Sequence, residues 1–129
     1  MTESHPLLTV ETVVLIGIGG FAGSNLRYFV GSLVPGLGGT LLVNALGSFA
    51  LGFLLYEAMH IGIVADETKL AATTGFLSSF TTYSTFAVET ALTPEWAAAN
   101  VLVSYALGFG GVVLARQAVA LFEGGEQPW

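Results

Sequence analysis

Charged side chains divide the chain into four long uncharged runs: Thr12–Leu26, Tyr28–Tyr56, Leu70–Val88 and Trp96–Ala115. A hydrocarbon core of roughly 30 Å needs about 20 apolar residues in a helix to span it. The first run is short for that, but it continues past Arg27 to Val34. The pattern therefore predicts an all-α membrane protein. Its single domain, 1–129, holds four transmembrane helices, at about 10–33, 38–62, 69–91 and 95–120. Between them stand turn and start signals. Pro35-Gly36-Leu37-Gly38-Gly39 supplies a turn. Asp66-Glu67-Thr68 places acids and a cap candidate before the third helix, and Thr93-Pro94-Glu95 offers a cap and a first-position proline before the fourth. Connections this short make sequential neighbours antiparallel.

Composition strengthens the membrane reading. The chain is 53% hydrophobic and 9% charged, against about 25% charged in an ordinary soluble domain. Twelve charged residues, three basic and nine acidic, cannot cover the surface of a soluble domain of 129 residues. The N-terminus lacks the basic region of a secretory signal. With no cysteine there is no disulfide and no thiolate metal site. Net charge is −6, and the acids Glu3, Asp66, Glu67, Glu95, Glu123 and Glu126 fall in loops or in the ends Met1–Pro6 and Glu123–Trp129, which read as frayed tails. That balance argues against a nucleic-acid partner. An acidic rim suits a high-salt habitat, and chance in short loops explains it as well. The only basic residues, Arg27, Lys69 and Arg116, fall two to one across the membrane, so orientation is barely specified.

Several short motifs carry chemistry. Gly17-Ile18-Gly19-Gly20-Phe21-Ala22 fits G-x-G-x-x-A, but no acid follows about 20 residues on and no βαβ unit surrounds it. Gly19-x-x-x-Gly23 reads instead as a close helix contact in lipid. Arg27 lies near the far end of the first helix. It is either an anchor snorkelling to the interface or a fixed positive charge at a pore mouth. Asn44, in an apolar run, needs a partner on another helix or a wet path. The stretch GFLSSFTTYSTF, from Gly75 to Phe86, holds seven hydroxyls between Ser78 and Thr85 and no charge. Hydroxyls that bond carbonyls four residues back loosen helices, so the third helix is expected to break there. Its freed carbonyls can hold a cation, and its hydroxyls can line the path of a small ion. No carboxylate lies at the middle of a span: Glu11 starts the first helix, while Glu57 and Glu89 lie near helix ends. His5 and His60 are isolated. Neither a proton-coupled antiporter nor an enzyme has its residues here.

Three blocks, GGFAGSNLRY, GTLLVNALGSFALG and TGFLSSFTTYSTFAVE, together resemble the Fluc (CrcB) fluoride channels of prokaryotes, over Gly19 to about Gly111. The third block is the specific one: the family pattern G-F-x-G-G-x-T-T-F-S-T-F is followed by a glutamate, here Glu89. The resemblance implies an antiparallel dimer in the cell membrane that lets cytoplasmic fluoride escape down its electrochemical gradient and so limits its toxicity. It implies two pores, with Asn44, Tyr83, Ser84, Thr85 and Phe86 along them, Tyr105 and Phe109 on the fourth helix, and Arg27 in a vestibule. It also implies one structural Na⁺ at the dimer centre, bound by the backbone carbonyls of Ser78 and Thr81. Near-absent charge bias suits a family whose members insert both ways up.

The chain departs from the family pattern at three places. Ser78-Ser79 replaces Gly-Gly, Tyr83 replaces a phenylalanine, and Phe109 stands where many members carry a pore serine. The last two add bulk and suit one half of a heterodimer with a homologous second subunit, in which one pore can decay while the other conducts. The partner is therefore a second copy or such a subunit, within membrane lipid. Two alternatives stand beside the fluoride channel: a non-conducting or partner-dependent subunit of a heterodimeric channel, and, by size and span count but without the central carboxylate it would need, a small multidrug-type antiporter.

Overall fold

The computed structural model describes residues 5–123; Met1–Ser4 and Gly124–Trp129, with Glu3, Glu126 and most of the expected frayed tails, lie outside the described residues. Helix α1 spans Pro6–Leu33. Its first position is Pro6, and His5 Nδ1 accepts from Leu7 N at 3.1 Å. It stops at Val34, whose backbone, at φ −129° and ψ 83°, has left the helical region, as the residue before a proline does. Gly36, at φ +79°, takes a left-handed turn that a side chain would disfavour. Helix α2, Leu37–His60, follows at once.

The end of α2 is organised by one buried acid. The Glu57 carbonyl accepts from Ile61 N and Gly62 N at 2.8 and 2.7 Å. Its carboxylate Oε2 accepts from Ile63 N and Val64 N at 2.6 and 2.9 Å. With the turn ordered this way, helix α3, Asp66–Leu70, starts at Asp66 itself behind an extended Ala65. Thr68, expected to cap it, lies inside the helix instead, and Asp66 and Glu67 sit in the first turn, where the helix dipole favours acids. A π-helical stretch, Ala71–Leu77, and a short helix α4, Ser78–Phe80, continue it. Thr81, Thr82 and Tyr83 are not helical. Helix α5, Ser84–Leu92, then a 3₁₀ turn, Pro94–Trp96, and helix α6, Ala97–Phe122, complete the described chain. Thr93 makes no side-chain cap, and Pro94 opens the 3₁₀ turn rather than α6.

Three stretches, Pro6–Leu33, Leu37–His60 and Pro94–Phe122, are long and apolar enough to cross a membrane. The segment Asp66–Leu92 is divided by the non-helical residues and is not one continuous helix. Two pairings dominate the packing: α2 lies along α6, and α1 lies along the π-helical stretch and α4. Backbones approach closely in both. A Cβ on Gly19 would overlap the Ala71 carbonyl oxygen, and one on Gly23 the Phe76 carbonyl oxygen. The Gly19-x-x-x-Gly23 contact read from the sequence is thus made, and the G-x-G-x-x-A run lies wholly inside α1. On the other pair, a Cβ on Gly52 would meet Ala115 Cβ at 3.2 Å.

Hydroxyls bond back along and just past the π-helical stretch. Thr73 Oγ1 donates to Lys69 O at 2.8 Å, Ser78 Oγ to Thr74 O, and Thr81 Oγ1 to Leu77 O at 2.8 Å. Such back-bonds compete with backbone amides for the same carbonyls. Buried apolar side chains are few: Val43, Leu77, Phe80, Ala115 and Val119. Phe21, Phe29, Leu102, Leu114 and Leu121 are among many large apolar groups facing outward. In water these would form a patch far beyond what a monomer exposes; in a multi-pass membrane protein they meet lipid.

Candidate functional site

The site is built around the three non-helical residues. Helix α4 ends because Thr81 turns extended, at φ −82° and ψ 167°. Thr82 then pairs with a side chain instead of a helix. Its amide donates to Asn44 Oδ1 at 2.8 Å, and its carbonyl accepts from Asn44 Nδ2 at 2.9 Å. The Asn44 carboxamide therefore acts as a single peptide unit of a strand, offered from α2 (an acceptor and a donor in the spacing a backbone would give). The Thr82 hydroxyl accepts from Thr85 N at 3.1 Å and so caps the first turn of α5. Gly47 leaves room for this arrangement: a Cβ there would overlap Thr81 Cγ2.

The carbonyls of Ser78 and Thr81 are among those set free at the break. In a continuous helix Ser78 O would accept from Thr82 N, and Thr81 O from Thr85 N. Both amides are engaged elsewhere, by Asn44 and by the Thr82 hydroxyl. Ser78 and Thr81 thus lose their helical donors through identified competitors. Hard carbonyl oxygens without their amides are the ligand type that alkali and alkaline-earth cations take.

Beside the break runs a groove of about 550 Å³, between α2, the break and α6. Asn44, Ser78, Thr81, Tyr83, Phe86, Tyr105 and Phe109, all singled out in the sequence, line it together. Its aromatic rings come in two pairs. Tyr83 and Phe86 have centroids 5.9 Å apart, and Tyr105 and Phe109 6.2 Å apart. No Asp, Glu, Lys, Arg or His lines it. Tyr83 and Phe109 are 76% and 69% exposed, so the groove is open on one side.

The remaining sequence candidates fall elsewhere. Arg27 and Thr85 line a second groove, of about 460 Å³, with Ser24, Thr40 and Glu89. Arg27 and Glu89 share it without forming an ion pair; Lys69 pairs with Asp66 at 3.4 Å, and His60 Nδ1 lies 3.9 Å from Glu123 Oε2. Oε1 of Glu89 is enclosed and unpartnered. Ser84 lines neither groove, and its Oγ lies 3.4 Å from Thr82 Oγ1. Thr82 lines both, so the break is the wall they share.

Sequence reasoning missed Thr82, Ser48 and Ser104 in the groove, and Asn100 behind it. Thr82 carried a signal, a threonine three residues ahead of the Thr85 amide, which is cap spacing. Asn100 carried the same signal as Asn44, a lone amide in an apolar run. Nothing marked Ser48 or Ser104, because one hydroxyl in a membrane helix can bond its own backbone.

Chemically, the first groove offers amide and hydroxyl dipoles together with ring edges. Among the described residues no cluster of His, Cys, Asp or Glu could hold a metal ion. The groove has no carboxylate, amine or imidazole to act as acid or base, and no activated nucleophile. Neutral donors and electropositive ring edges suit a small anion that is passed on and not transformed.

Comparison with known proteins agrees with that class. The family model described as CrcB-like protein, Camphor Resistance (CrcB) matches residues 14–116. The chain is 71% identical over 127 residues to a protein of Haloarcula marismortui named Fluoride-specific ion channel FluC 1, covering 98% of this chain and 100% of the relative. It is 46% identical over 119 residues to Fluoride-specific ion channel FluC 2 of Halobacterium salinarum, covering 91% and 93%. To Fluoride-specific ion channel FluC 1 of Natronomonas pharaonis it is 49% identical over 112 residues, covering 84% and 94%.

Proposed function

The chain belongs to the CrcB-like family of fluoride-specific ion channels, and from that premise we propose how its residues carry the ion. It is a multi-pass membrane protein that conducts fluoride and is not an enzyme. One observation carries the residue-level reading: Asn44, the broken segment and two aromatic pairs line a single groove without a fixed charge.

Stripping an anion of water at membrane depth costs on the order of tens of kcal/mol unless other dipoles replace the shell. Here the replacements are the hydroxyls of Thr82, Tyr83, Ser48 and Ser104, the second Nδ2 proton of Asn44, and the edges of Tyr83, Phe86, Tyr105 and Phe109. Each contact is weak, so the ion leaves as readily as it enters. A lysine in that groove would hold the ion too tightly. Arg27, in the second groove, raises the local concentration of anions where α1 ends. Glu89 beside it offsets part of that charge.

The segment Asp66–Leu92 is the fourth crossing in this reading, divided at Thr81–Tyr83. Two copies, or this chain and a homologous subunit, pair in opposite orientation and close the open side of the groove. The exposed Tyr83, Tyr105 and Phe109 are the side chains such a partner would cover. The carbonyls of Ser78 and Thr81, stripped of their helical donors, fit a Na⁺ between the two breaks. A Na⁺ there would join the two subunits through main-chain oxygens and fix a positive charge near the anion path. Because main chain supplies the ligands, Ser78→Gly is expected to keep whatever stability Na⁺ confers. Melting in Na⁺ against N-methylglucamine should give the same shift for Ser78→Gly and for the parent chain. A parent chain indifferent to Na⁺ rules the site out.

The function is tested by efflux from liposomes reconstituted with purified protein. Fluoride efflux is expected to exceed chloride efflux by at least about a hundredfold, a difference of about 2.7 kcal/mol in barrier height. Equal fluxes of the two anions would refute the assignment of this groove to fluoride.

A further inference from the structure

Helix α5 is only nine residues long and is cut off from α4 by the break. It nevertheless carries Phe86, one of the rings on the groove. What fixes the angle of so short a helix against α6 is a hydrogen-bonded chain outside the groove. Asn100, on α6, is a buried amide at 6% exposure. Its Nδ2 donates to Thr90 Oγ1 at 2.8 Å. The Thr90 hydroxyl donates in turn to the Phe86 carbonyl at 2.7 Å. A hydroxyl has one proton and here gives it to Phe86, so it meets Asn100 as an acceptor. Both directions of the chain are therefore fixed.

Neither Asn100 nor Thr90 lines either groove. A buried amide in an apolar helix is unfavourable unless bonded, and this one is bonded to the residue one turn beyond Phe86. We infer that Asn100 and Thr90 form a latch that positions the Phe86 ring, and with it the aromatic wall between α5 and α6, for passage of fluoride. Both are positioning residues. The inference rests on the fluoride-channel reading for its consequence in flux, and on the geometry alone for the latch.

Without the Asn100 bond, the Thr90 hydroxyl still back-bonds to Phe86, but α5 loses its polar tie to α6. It can then pivot about Thr81–Tyr83 at one end and Thr93–Pro94 at the other. Tyr83 and Phe86 shift together, because their ring centroids are only 5.9 Å apart. The aromatic groove then has no fixed width.

The experiment uses full-length protein carrying Thr90→Val, Thr90→Ser, Asn100→Leu, or Thr90→Val with Asn100→Leu. Thr90→Val keeps the shape and removes the hydroxyl; Thr90→Ser restores it. Fluoride efflux from liposomes is expected to fall about tenfold or more in Thr90→Val and Asn100→Leu. The double variant should lose no more than either single change, since one chain is cut in all three. Thr90→Ser should recover most of the parent rate. In parallel, a 4-fluorophenylalanine label at position 86 reads ring order by ¹⁹F NMR in fluoride-free buffer. One sharp line is expected in the parent and in Thr90→Ser, and a broadened or split line in the other three. Parent-like flux and a single line in Thr90→Val and Asn100→Leu would overturn the latch, as would losses that add in the double variant. Failure of all the cut variants to fold would also overturn it, by making the pair a structural staple. A parent chain that passes no fluoride sinks the channel reading, while the ¹⁹F line still decides the latch.

Discussion

Phe86→Ile is expected to cut fluoride efflux from reconstituted protein by at least about tenfold while leaving the fold intact. Isoleucine keeps much of the apolar bulk and loses the electropositive ring edge. Phe86 is half-buried on the groove, in the first turn of α5, with its ring centroid 5.9 Å from that of Tyr83. Loss of a contact of about 1.4 kcal/mol at the top of the barrier slows passage about tenfold. Two rings of one pair moving together push the effect beyond that. The check is efflux per folded protein, with folding judged by the same elution profile as the parent chain. Efflux that survives unchanged means the ring edge at this position does not touch the ion's path.

Asn44→Ala is expected to affect both flux and stability, and the stability effect is the informative one. As a simple donor to the ion, Asn44 would cost flux alone when removed. In the structure it bonds both polar groups of the Thr82 backbone. Alanine leaves an amide and a carbonyl of a buried residue without partners, at about 1–3 kcal/mol each. A melting temperature lowered by several degrees, together with flux reduced about tenfold or more, is the expected result. Asn44→Asp separates the two bonds. A carboxylate still accepts from Thr82 N but sets a charged oxygen against Thr82 O at membrane depth, so it should be no more stable than Asn44→Ala. A parent-like melt with lost flux would place Asn44 on the ion instead of the break.

The chain's large features were legible because they depend on few variables. Uncharged runs locate the long helices to within a few residues, since a charge at membrane depth is so unfavourable. The glycine pair on α1 announced a close contact because only a missing Cβ allows one, and Gly19 and Gly23 do meet Ala71 and Phe76. The groove's members were legible as residue types, through the resemblance more than through spacing. Hidden in the sequence was who bonds whom. Asn44 read as an amide bonded to another helix or facing a wet path; it does reach the third segment, but nothing in the sequence said that both ends of the amide would meet the backbone of one residue, Thr82. The back-bonding expected of the stretch's hydroxyls is made by Ser78 and Thr81, and it takes their protons from the groove they line. Caps misled for a related reason. Thr68 read as the cap of the next helix, whereas the turn ahead of Asp66 is ordered by Glu57, an acid of the preceding helix. Such competition among polar groups depends on three-dimensional proximity, which no local pattern encodes.

The two dominant pairings, α1 with the stretch Ala71–Phe80 and α2 with α6, interleave along the chain: the first element joins the third, the second joins the last. Consecutive helices α1 and α2 touch only slightly. During synthesis, then, the first two helices enter the bilayer with little to hold each other. Consolidation waits for the glycine-faced stretch around Gly75 to arrive at α1, and again for α6 to arrive at α2. The break between Thr81 and Tyr83 is where the chain passes from the first pair to the second. Because Tyr105 and Phe109 come from α6, the groove beside the break has all its lining residues only when the whole chain has been delivered.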